Sequence, residues 1–266
     1  MSSITTDQGV LHYEVYGRGR PVILLHGWLC SWALWQETMT YLGRHFRTYA
    51  LDFWGFGESA RKNPTFKITD YVSMVDQFME QLGIDQAPLV GHSMGGTVGL
   101  KLAIDYPQRV SQVTVIGSPV DGESLAAALK FAGYPSIAWM VYHNMWALRL
   151  GLRIAAPSIS KDPRWPAMMD EYLSRLTLES FLMSIASLRK TDLVPELKTV
   201  QVPVMGMYGQ RDNIVSPNEW KPIQAHVAEP RIERFPEAGH FIMLDNPQRF
   251  NRTLLEFLLG GRKADE

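Results

Sequence analysis

Short apolar runs alternate with helix-like segments over the first 118 residues of the chain. The stretch 10–17 alternates apolar and polar residues and ends in a glycine-rich turn, which predicts an edge strand. Continuous apolar runs, typical of strands buried on both faces, occupy 21–27, 46–52, 87–92 and 113–118. Helical periodicity is found between them, near 33–42, 69–82 and 94–105. This alternation predicts a mostly parallel sheet with helices on both sides.

The pattern changes from about 119 to 195, where no convincing strand is found. Helix-like segments follow one another there, separated by Pro135, Pro157, Pro163 and Pro166. Strand patterns return at 202–209 and 231–236, with predicted helices near 217–228 and 247–259. We therefore predict one doubly wound α/β core formed by 1–118 and 196–266, with an all-helical insertion at 119–195.

The composition narrows the class of protein. A chain of 266 residues with 46% apolar residues suits one large α/β domain, and a net charge of −1 without a basic face argues against a nucleic-acid partner. Cys30 is the single cysteine, so it forms no intrachain disulfide, and we expect a small core residue there. No signal-peptide pattern and no membrane-spanning run of about 20 apolar residues is present, so we expect a cytoplasmic protein.

The segment Gly91-His92-Ser93-Met94-Gly95 lies between a predicted strand and a predicted helix. In this context Gly-x-Ser-x-Gly predicts a nucleophile elbow, a strained turn that presents the serine at the start of a helix. A glycine-rich turn with a solvated serine is the alternative that the short motif leaves open. A nucleotide-binding loop is disfavoured because no Gly-Lys-Ser/Thr follows.

A catalytic serine needs a base, and the base needs an orienting carboxylate. His240 follows the last predicted strand, and Asp212 follows the strand before it, so both lie at the carboxyl edge of the sheet with Ser93. Asp121 is the rival acid, but the order Ser93, Asp212, His240 is the one expected for this elbow. We expect His92 to face away from Ser93, since neighbouring side chains of a strand point to opposite faces.

An oxyanion formed at Ser93 needs backbone N–H donors. Met94 follows the serine at the start of the predicted helix, and its N–H is one candidate. Trp28 follows the strand that ends in His26-Gly27, and its N–H is the second candidate. The Trp28 side chain is expected to form one wall of the pocket, and His26 to brace the loop by hydrogen bonding.

Over nearly its whole length the sequence resembles the α/β-hydrolase superfamily. The matching motifs are His26-Gly27-Trp28, Asp52-Phe53-Trp54-Gly55-Phe56-Gly57-Glu58-Ser59, Gly91-His92-Ser93-Met94-Gly95-Gly96, Gly209-x-x-Asp212 and Gly239-His240. The resemblance implies an eight-stranded, mostly parallel sheet with a helical cap inserted after the sixth strand, which would be 119–195. A serine rather than an aspartate at the elbow argues against dehalogenase or epoxide-hydrolase chemistry.

The predicted activity is that of a carboxylesterase-like serine hydrolase, with no metal and no organic cofactor. The helical insertion is rich in aromatic residues and methionine, which favours small to medium apolar esters. The candidate pocket residues are Trp28, Trp139, Met140, Trp146 and Phe181. A carbon–carbon bond hydrolase, a lactonase or a perhydrolase on the same triad is an alternative. A ligand receptor with negligible turnover is another, and the sequence does not distinguish a monomer from a homodimer.

Overall fold

A nine-stranded sheet forms the centre of the computed structural model, which describes residues 2–61 and 65–260. In chain order its strands are β1 (Ser2–Thr6), β2 (Gly9–Gly17), β3 (Pro21–Leu25), β4 (Arg47–Leu51), β5 (Ala60–Arg61), β6 (Ala87–His92), β7 (Val110–Ile116), β8 (Val204–Gly209) and β9 (Arg231–Phe235). The strand order is β1-β2-β4-β3-β6-β7-β8-β9, with the two-residue β5 beside β2. The main path therefore has the eight strands that were predicted.

The six neighbouring strands β4, β3, β6, β7, β8 and β9 are parallel to one another. Strand β2 pairs antiparallel with both β1 and β4. Its central strands are the continuous apolar runs of the sequence, and side chains such as Leu24, Val90, Val115 and Met205 are fully buried. Parallel strands covered by helices on both faces have this character. The predicted α/β class is confirmed.

The first strand was missed by the sequence pattern. β1 pairs antiparallel with β2, from Ser2 opposite Tyr13 to Thr6 opposite Gly9. Among its residues only Ile4 is strongly apolar. One apolar residue gives no visible alternation, so tertiary pairing with β2 rather than local pattern determines this strand.

The helices lie at positions close to those expected. They are α1 (Gln36–Leu42), α2 (Ile68–Gln81), α3 (Met94–Asp105), α4 (Ala127–Ala132), α5 (Pro135–His143), α6 (Met145–Ile159), α7 (Trp165–Ser174), α8 (Leu178–Arg189), α9 (Trp220–His226), α10 (Ile242–Asp245) and α11 (Pro247–Leu258). In α2 the buried residues Tyr71, Met74, Val75 and Phe78 recur at steps of three, one and three, as one apolar helix face requires. Among the described residues, no helix is both long and apolar enough to cross a membrane.

Helices α4 to α8 lie between β7, the sixth strand of the main path, and β8. The ends of this segment meet, because Gly122 N–H donates to Thr191 O at 2.8 Å and Leu193 N–H donates to Val120 O at 2.9 Å. The chain thus leaves the sheet and returns to it at one place. A division at 118/119 and 195/196, with 119–195 acting as a cap, stays a prediction.

Candidate active site

Ser93 lies between the end of β6 and the start of α3, with φ 50° and ψ −121°. A side chain at positive φ costs about 1–3 kcal/mol and persists only where the surroundings enforce it. Here the Ser93 N–H donates to Ile116 O of the neighbouring strand at 2.8 Å. The serine is therefore held in a strained position where the strand turns into the helix.

The glycines around Ser93 are required by close backbone contacts. A Cβ on Gly91 would collide with the backbone of Gly95 and Gly96, and one on Gly95 would collide with the carbonyls of Leu25 and His26. These positions tolerate only a hydrogen. The turn is therefore as tight as Gly-x-Ser-x-Gly predicts.

Asp212 and His240 form a buried pair at the same edge of the sheet. His240 Nδ1 and Asp212 Oδ2 are 2.7 Å apart. Asp212 Oδ1 accepts the backbone N–H groups of Ile214 at 2.8 Å and Val215 at 3.0 Å. Both carboxylate oxygens are thus occupied, which orients the Asp212 side chain and directs His240 Nε2 away from it.

The rival acid, Asp121, does not share this environment. Its Oδ1 accepts the N–H of Glu123 at 2.9 Å, at the start of the short helix Gly122–Ser124. Asp121 therefore caps a helix, and of the two candidates only Asp212 hydrogen-bonds to His240.

Gly117 connects the serine with the acid–histidine pair, and sequence reasoning missed this residue. It follows Ile116, which accepts the Ser93 N–H, and its φ is 53°. A Cβ at Gly117 would lie 3.3 Å from both Asp212 Oδ2 and His240 Nδ1. The end of β7 thus lies against Ser93 on one side and against the pair on the other. A glycine directly after a buried strand was the available signal.

His92 is also part of this site. Its Nε2 lies 3.1 Å from His240 O, and the two rings are 4.6 Å apart. Burial, followed by the nearby His240, lowers the pKa of His92 well below its usual range. A neutral His92 thus donates from Nε2 to the His240 carbonyl. The sequence argument gave His92 no role at the site because it assumed the side-chain alternation of a regular strand. That alternation ends at the strained Ser93 backbone.

The loop after β3 approaches Ser93 from the other side. A Cβ on Gly27 would lie 3.0 Å from the Ser93 Cβ and 2.8 Å from His92 Nδ1. The loop turns at this point, with Cys30 N–H donating to Gly27 O at 3.1 Å. Trp28 follows Gly27 directly, and Met94 begins α3, whose first N–H groups have no partner within the helix. The predicted oxyanion hole from these two amides stays a prediction.

His26 braces this loop, as its position suggested. Its Nδ1 donates to Gly27 O at 2.7 Å, and its Nε2 accepts the Phe53 N–H at 3.0 Å. Burial lowers the pKa of His26, so the ring is neutral and both nitrogens are used. This histidine is fully engaged in structure.

Known proteins share both the sequence pattern and this architecture. A family model described as the alpha/beta hydrolase fold matches residues 20–142, which include the elbow. The chain belongs to the α/β-hydrolase superfamily.

Relatives of this α/β-hydrolase are named for several reactions. A pimeloyl-[acyl-carrier protein] methyl ester esterase of Vibrio campbellii is 28% identical over 87% of this chain and 89% of its own. A 2-hydroxy-6-oxo-6-phenylhexa-2,4-dienoate hydrolase of Comamonas testosteroni is 25% identical, covering 94% and 91%. The crystal structure of an enol-lactonase from Burkholderia xenovorans has a TM-score of 0.86 at 20% identity, covering 97% and 100%. The last likeness confirms the fold.

The pocket residues predicted for the hydrolase fall into two groups. Trp28 and Phe181 are brought together, with ring centroids 4.9 Å apart, and Phe181 of α8 is buried. Trp139, Met140 and Trp146 expose 56%, 54% and 70% of their surface. These three lie on faces of α5 and α6 that no other described element covers, and their place in the substrate pocket stays a prediction.

Asp245 links the helical segment to the loop that carries His240, and the sequence analysis did not single it out. Its Oδ2 accepts the Gly239 N–H at 2.7 Å. Its Oδ1 accepts the Ser160 hydroxyl and the Lys161 N–H, each at 2.7 Å. One carboxylate therefore fastens the C-terminal end of α6 to the residue before His240.

Neither Cys30 nor a cluster of metal-binding side chains adds a second reactive centre to the described part of the hydrolase. Burial raises the pKa of the Cys30 thiol to about 12, so it stays protonated. Within residues 2–61 and 65–260, no group of three or more His, Cys, Asp or Glu residues is arranged to hold a metal ion.

Proposed function

We propose that this protein is a serine hydrolase that cleaves carboxylic esters of small to medium apolar compounds through an acyl-enzyme. One observation carries the proposal: a strained, helix-initiating Ser93 and a buried Asp212–His240 pair, joined by a 2.7 Å hydrogen bond, both lie against the end of β7, at Ile116 and Gly117. Ser93 exposes only 6% of its surface, so it is not the solvated serine of an ordinary turn.

Each residue has a distinct role in the first half of the reaction. Ser93 Oγ bonds to the ester carbonyl carbon while its proton passes to His240 Nε2 and the carbonyl electron pair moves onto oxygen. The Asp212 carboxylate fixes the proton on Nδ1 and stabilises the imidazolium. The N–H groups of Trp28 and Met94 hold the oxyanion.

The second half releases the acid. The bond to the leaving oxygen breaks, and the imidazolium gives its proton to the departing alkoxide. Water then attacks the acyl carbon with His240 as base, and the Ser93–acyl bond breaks to restore the hydroxyl. His92 supports both halves, because a neutral neighbour adds no second positive charge beside the imidazolium.

The apolar substrate class is supported by the surroundings of Ser93. Trp28, half-buried, packs against Phe181 from α8. Trp28 directly follows Gly27, where a Cβ would lie 3.0 Å from the Ser93 Cβ. We further propose that 119–195 caps this site, as the Trp28–Phe181 contact and the 5.7 Å contact between Trp165 and Phe241 support. A cytoplasmic monomer or homodimer stays a prediction.

Carbon–carbon bond hydrolysis of a dienoate is the second candidate. It is favoured by the 25% identical relative named as a phenylhexadienoate hydrolase. Lactone hydrolysis is a further candidate. It is favoured by a 24% identical relative named 3-oxoadipate enol-lactonase 2 of Acinetobacter baylyi. The three reactions share the nucleophile geometry and differ in the bond presented to it.

A serine-directed phosphonate and a panel of chromogenic esters of rising acyl length test the proposal. We expect one phosphonate on Ser93, and loss of ester turnover by roughly 10³-fold or more in Ser93→Ala. Ser118→Ala is the matched control: it removes a buried hydroxyl near the elbow, 3.2 Å from Ile116 O, and keeps labelling intact.

The outcomes separate the candidates. If Ser93 gains no mass, or if Ser93→Ala retains full turnover, the nucleophile assignment is wrong. If Ser93 is labelled and no ester turns over, turnover of a phenyl-dienoate identifies a carbon–carbon hydrolase. If an enol-lactone also fails to turn over, the result favours a ligand receptor on this scaffold.

A further inference from the structure

Large apolar side chains are exposed along the outside of the helical segment. Seven of the ten most exposed ones among the described residues lie within α4 to α6 or the turn between α4 and α5: Phe131, Tyr134, Trp139, Met140, Trp146, Leu150 and Ile154. Contiguous exposed apolar surface marks an interaction site more often than scattered single residues do. These seven are concentrated within 24 positions of the chain, 131 to 154.

Helix α6 carries the most exposed part of this surface. Trp146, Leu150 and Ile154 follow one another at steps of four, with exposures of 70%, 51% and 74%. The opposite side of α6 is covered, since Ala156 and Ile159 are buried and Leu152 packs against the core. A helix on the surface of a soluble protein normally turns its polar side to water. Helix α6 is therefore apolar on both sides, and no element within residues 2–61 and 65–260 covers its outer side.

The charge of this segment has one sign. No Asp or Glu occurs from 124 to 161, whereas Lys130, Arg149, Arg153 and Lys161 do. Arg153 is paired with Asp170 yet leaves 63% of its side chain exposed. Arg149 lies on α6 with a buried Nε that has no hydrogen-bond partner among the described residues. Lys130 and Lys161 are also paired, with Glu123 and Glu237. Cations thus flank the exposed apolar stripe, and their carboxylate partners lie outside 124–161.

We propose that the outer face of α5 and α6 (Trp139, Met140, Trp146, Leu150 and Ile154) docks on an anionic lipid surface. Helices with an apolar stripe, aromatic residues and flanking cations lie in the headgroup region with their apolar side inserted. Tryptophan is favoured at this depth. Insertion of one face requires no membrane-spanning helix.

The charge pattern favours lipid over a second copy of this chain. A symmetric contact through the outer face of α5 and α6 would bring Arg149 and Arg153 of both copies together. Asp170 offsets Arg153 on each copy, but Arg149 has no carboxylate partner among the described ion pairs. An anionic headgroup layer attracts the same residues.

Vesicle co-sedimentation with the full chain tests the proposal. The vesicles are pure phosphatidylcholine, or phosphatidylcholine with about 30% phosphatidylglycerol. We expect binding to the anionic vesicles that falls at least about tenfold in the double variant Trp146→Ser/Ile154→Ser. Arg153→Gln removes one positive charge, and about 0.5 M salt screens the attraction to the headgroups. Each should weaken binding severalfold.

Tyr16→Ser is the matched control, since Tyr16 is an aromatic residue on β2 that exposes 52% of its surface. It should bind vesicles as the native chain does. Retained thermal unfolding of each variant shows that it is folded. Ser93→Ala should also bind fully, so the result does not depend on the proposed catalysis.

The proposal is overturned if the native chain stays in the supernatant with both kinds of vesicle, or if the double variant binds as well as the native chain. Equal binding to both vesicle types overturns the role of anionic lipid. A concentration-dependent dimer that the double variant dissociates, with no vesicle binding, assigns the face to a second copy instead.

Discussion

The carboxyl edge of the sheet and the outer side of helices α5 and α6 are organised by opposite means. At the edge, hydrogen bonds to main-chain groups hold the residues in place: the Ser93 N–H donates to Ile116 O, and the Asp212 carboxylate accepts the N–H groups of Ile214 and Val215. On α5 and α6, large apolar side chains are exposed and no described element covers them. The difference fits the two proposed tasks, reaction at the edge of the sheet and contact with lipid through α5 and α6.

The largest expected effect comes from replacing Asp212, the proposed acid at the carboxyl edge of the sheet. Asp212→Asn keeps the size of the side chain but leaves His240 without its carboxylate, so the wrong tautomer is favoured. We expect kcat to fall by about 10³–10⁴. The measurement is steady-state ester hydrolysis, with circular dichroism to confirm folding.

Asp121→Asn is the matched control for that substitution. Asp121 caps the short helix Gly122–Ser124 and does not touch His240, so kcat should stay within about twofold of the native value. Equal losses in the two variants would show that the carboxylate of Asp212 has no special role.

Asp245 connects the two regions, so its replacement sharpens the comparison. An amide cannot accept all three of the hydrogen bonds that Asp245 accepts, and the loop before His240 becomes less well placed. We expect Asp245→Asn to lower kcat by about tenfold, with KM nearly unchanged. Ser160→Ala removes only the contact to the end of α6 and should have a smaller effect. Unchanged kcat in Asp245→Asn would contradict a positioning role.

Buried and exposed aromatic residues of the helical segment should differ in their effect on substrate. Phe181 packs on Trp28, whereas Trp146 is exposed. Phe181→Leu should raise KM for aryl esters by roughly threefold to tenfold. Trp146→Leu, assayed without lipid, should leave KM unchanged. An equal rise in KM in both variants would indicate that Trp146 also lines the pocket.

The smallest expected effect lies away from the site, at His12. Burial opposes protonation there, but the hydrogen bond to Asp52 and the nearby carboxylates of Glu58 and Glu14 outweigh it, so the pKa of His12 is raised. The stabilisation is complete below the unfolded pKa of about 6.5 and is lost as pH rises through the folded pKa.

His12→Gln should therefore reduce the free energy of unfolding more at pH about 5.5 than at pH about 9, as measured by urea unfolding. The exposed His226→Gln is the control, with little change at either pH. A larger loss at the higher pH would contradict the sign of the shift.

Sequence pattern predicted the fold and the order of the candidate triad because both depend on strong local signals. Buried parallel strands are continuous apolar runs, and the positions around Ser93 need glycine because the backbone approaches there too closely for a Cβ. Strand β1 was not predicted because Ile4, its only strongly apolar residue, gives no alternation of apolar and polar positions. The roles of Gly117 and His92 depend on neighbours far apart in the chain.

Which aromatic residues line the pocket was harder to predict than the fold, for a physical reason. Aromatic residues in an amphipathic helix can lie inside or outside, and composition alone does not distinguish these positions. Phe181 lies inside and Trp146 outside because of how α6 and α8 pack.

Trapping the acyl-enzyme tests the central claim most directly. The native chain is mixed with an apolar chromogenic ester, quenched in acid within the first turnover and digested for peptide mass mapping. We predict one acyl group on Ser93, at a level close to one per chain, and a matching burst of the released alcohol. Ester hydrolysis with the acyl group on another residue, or with no acyl group on the protein, would contradict the account.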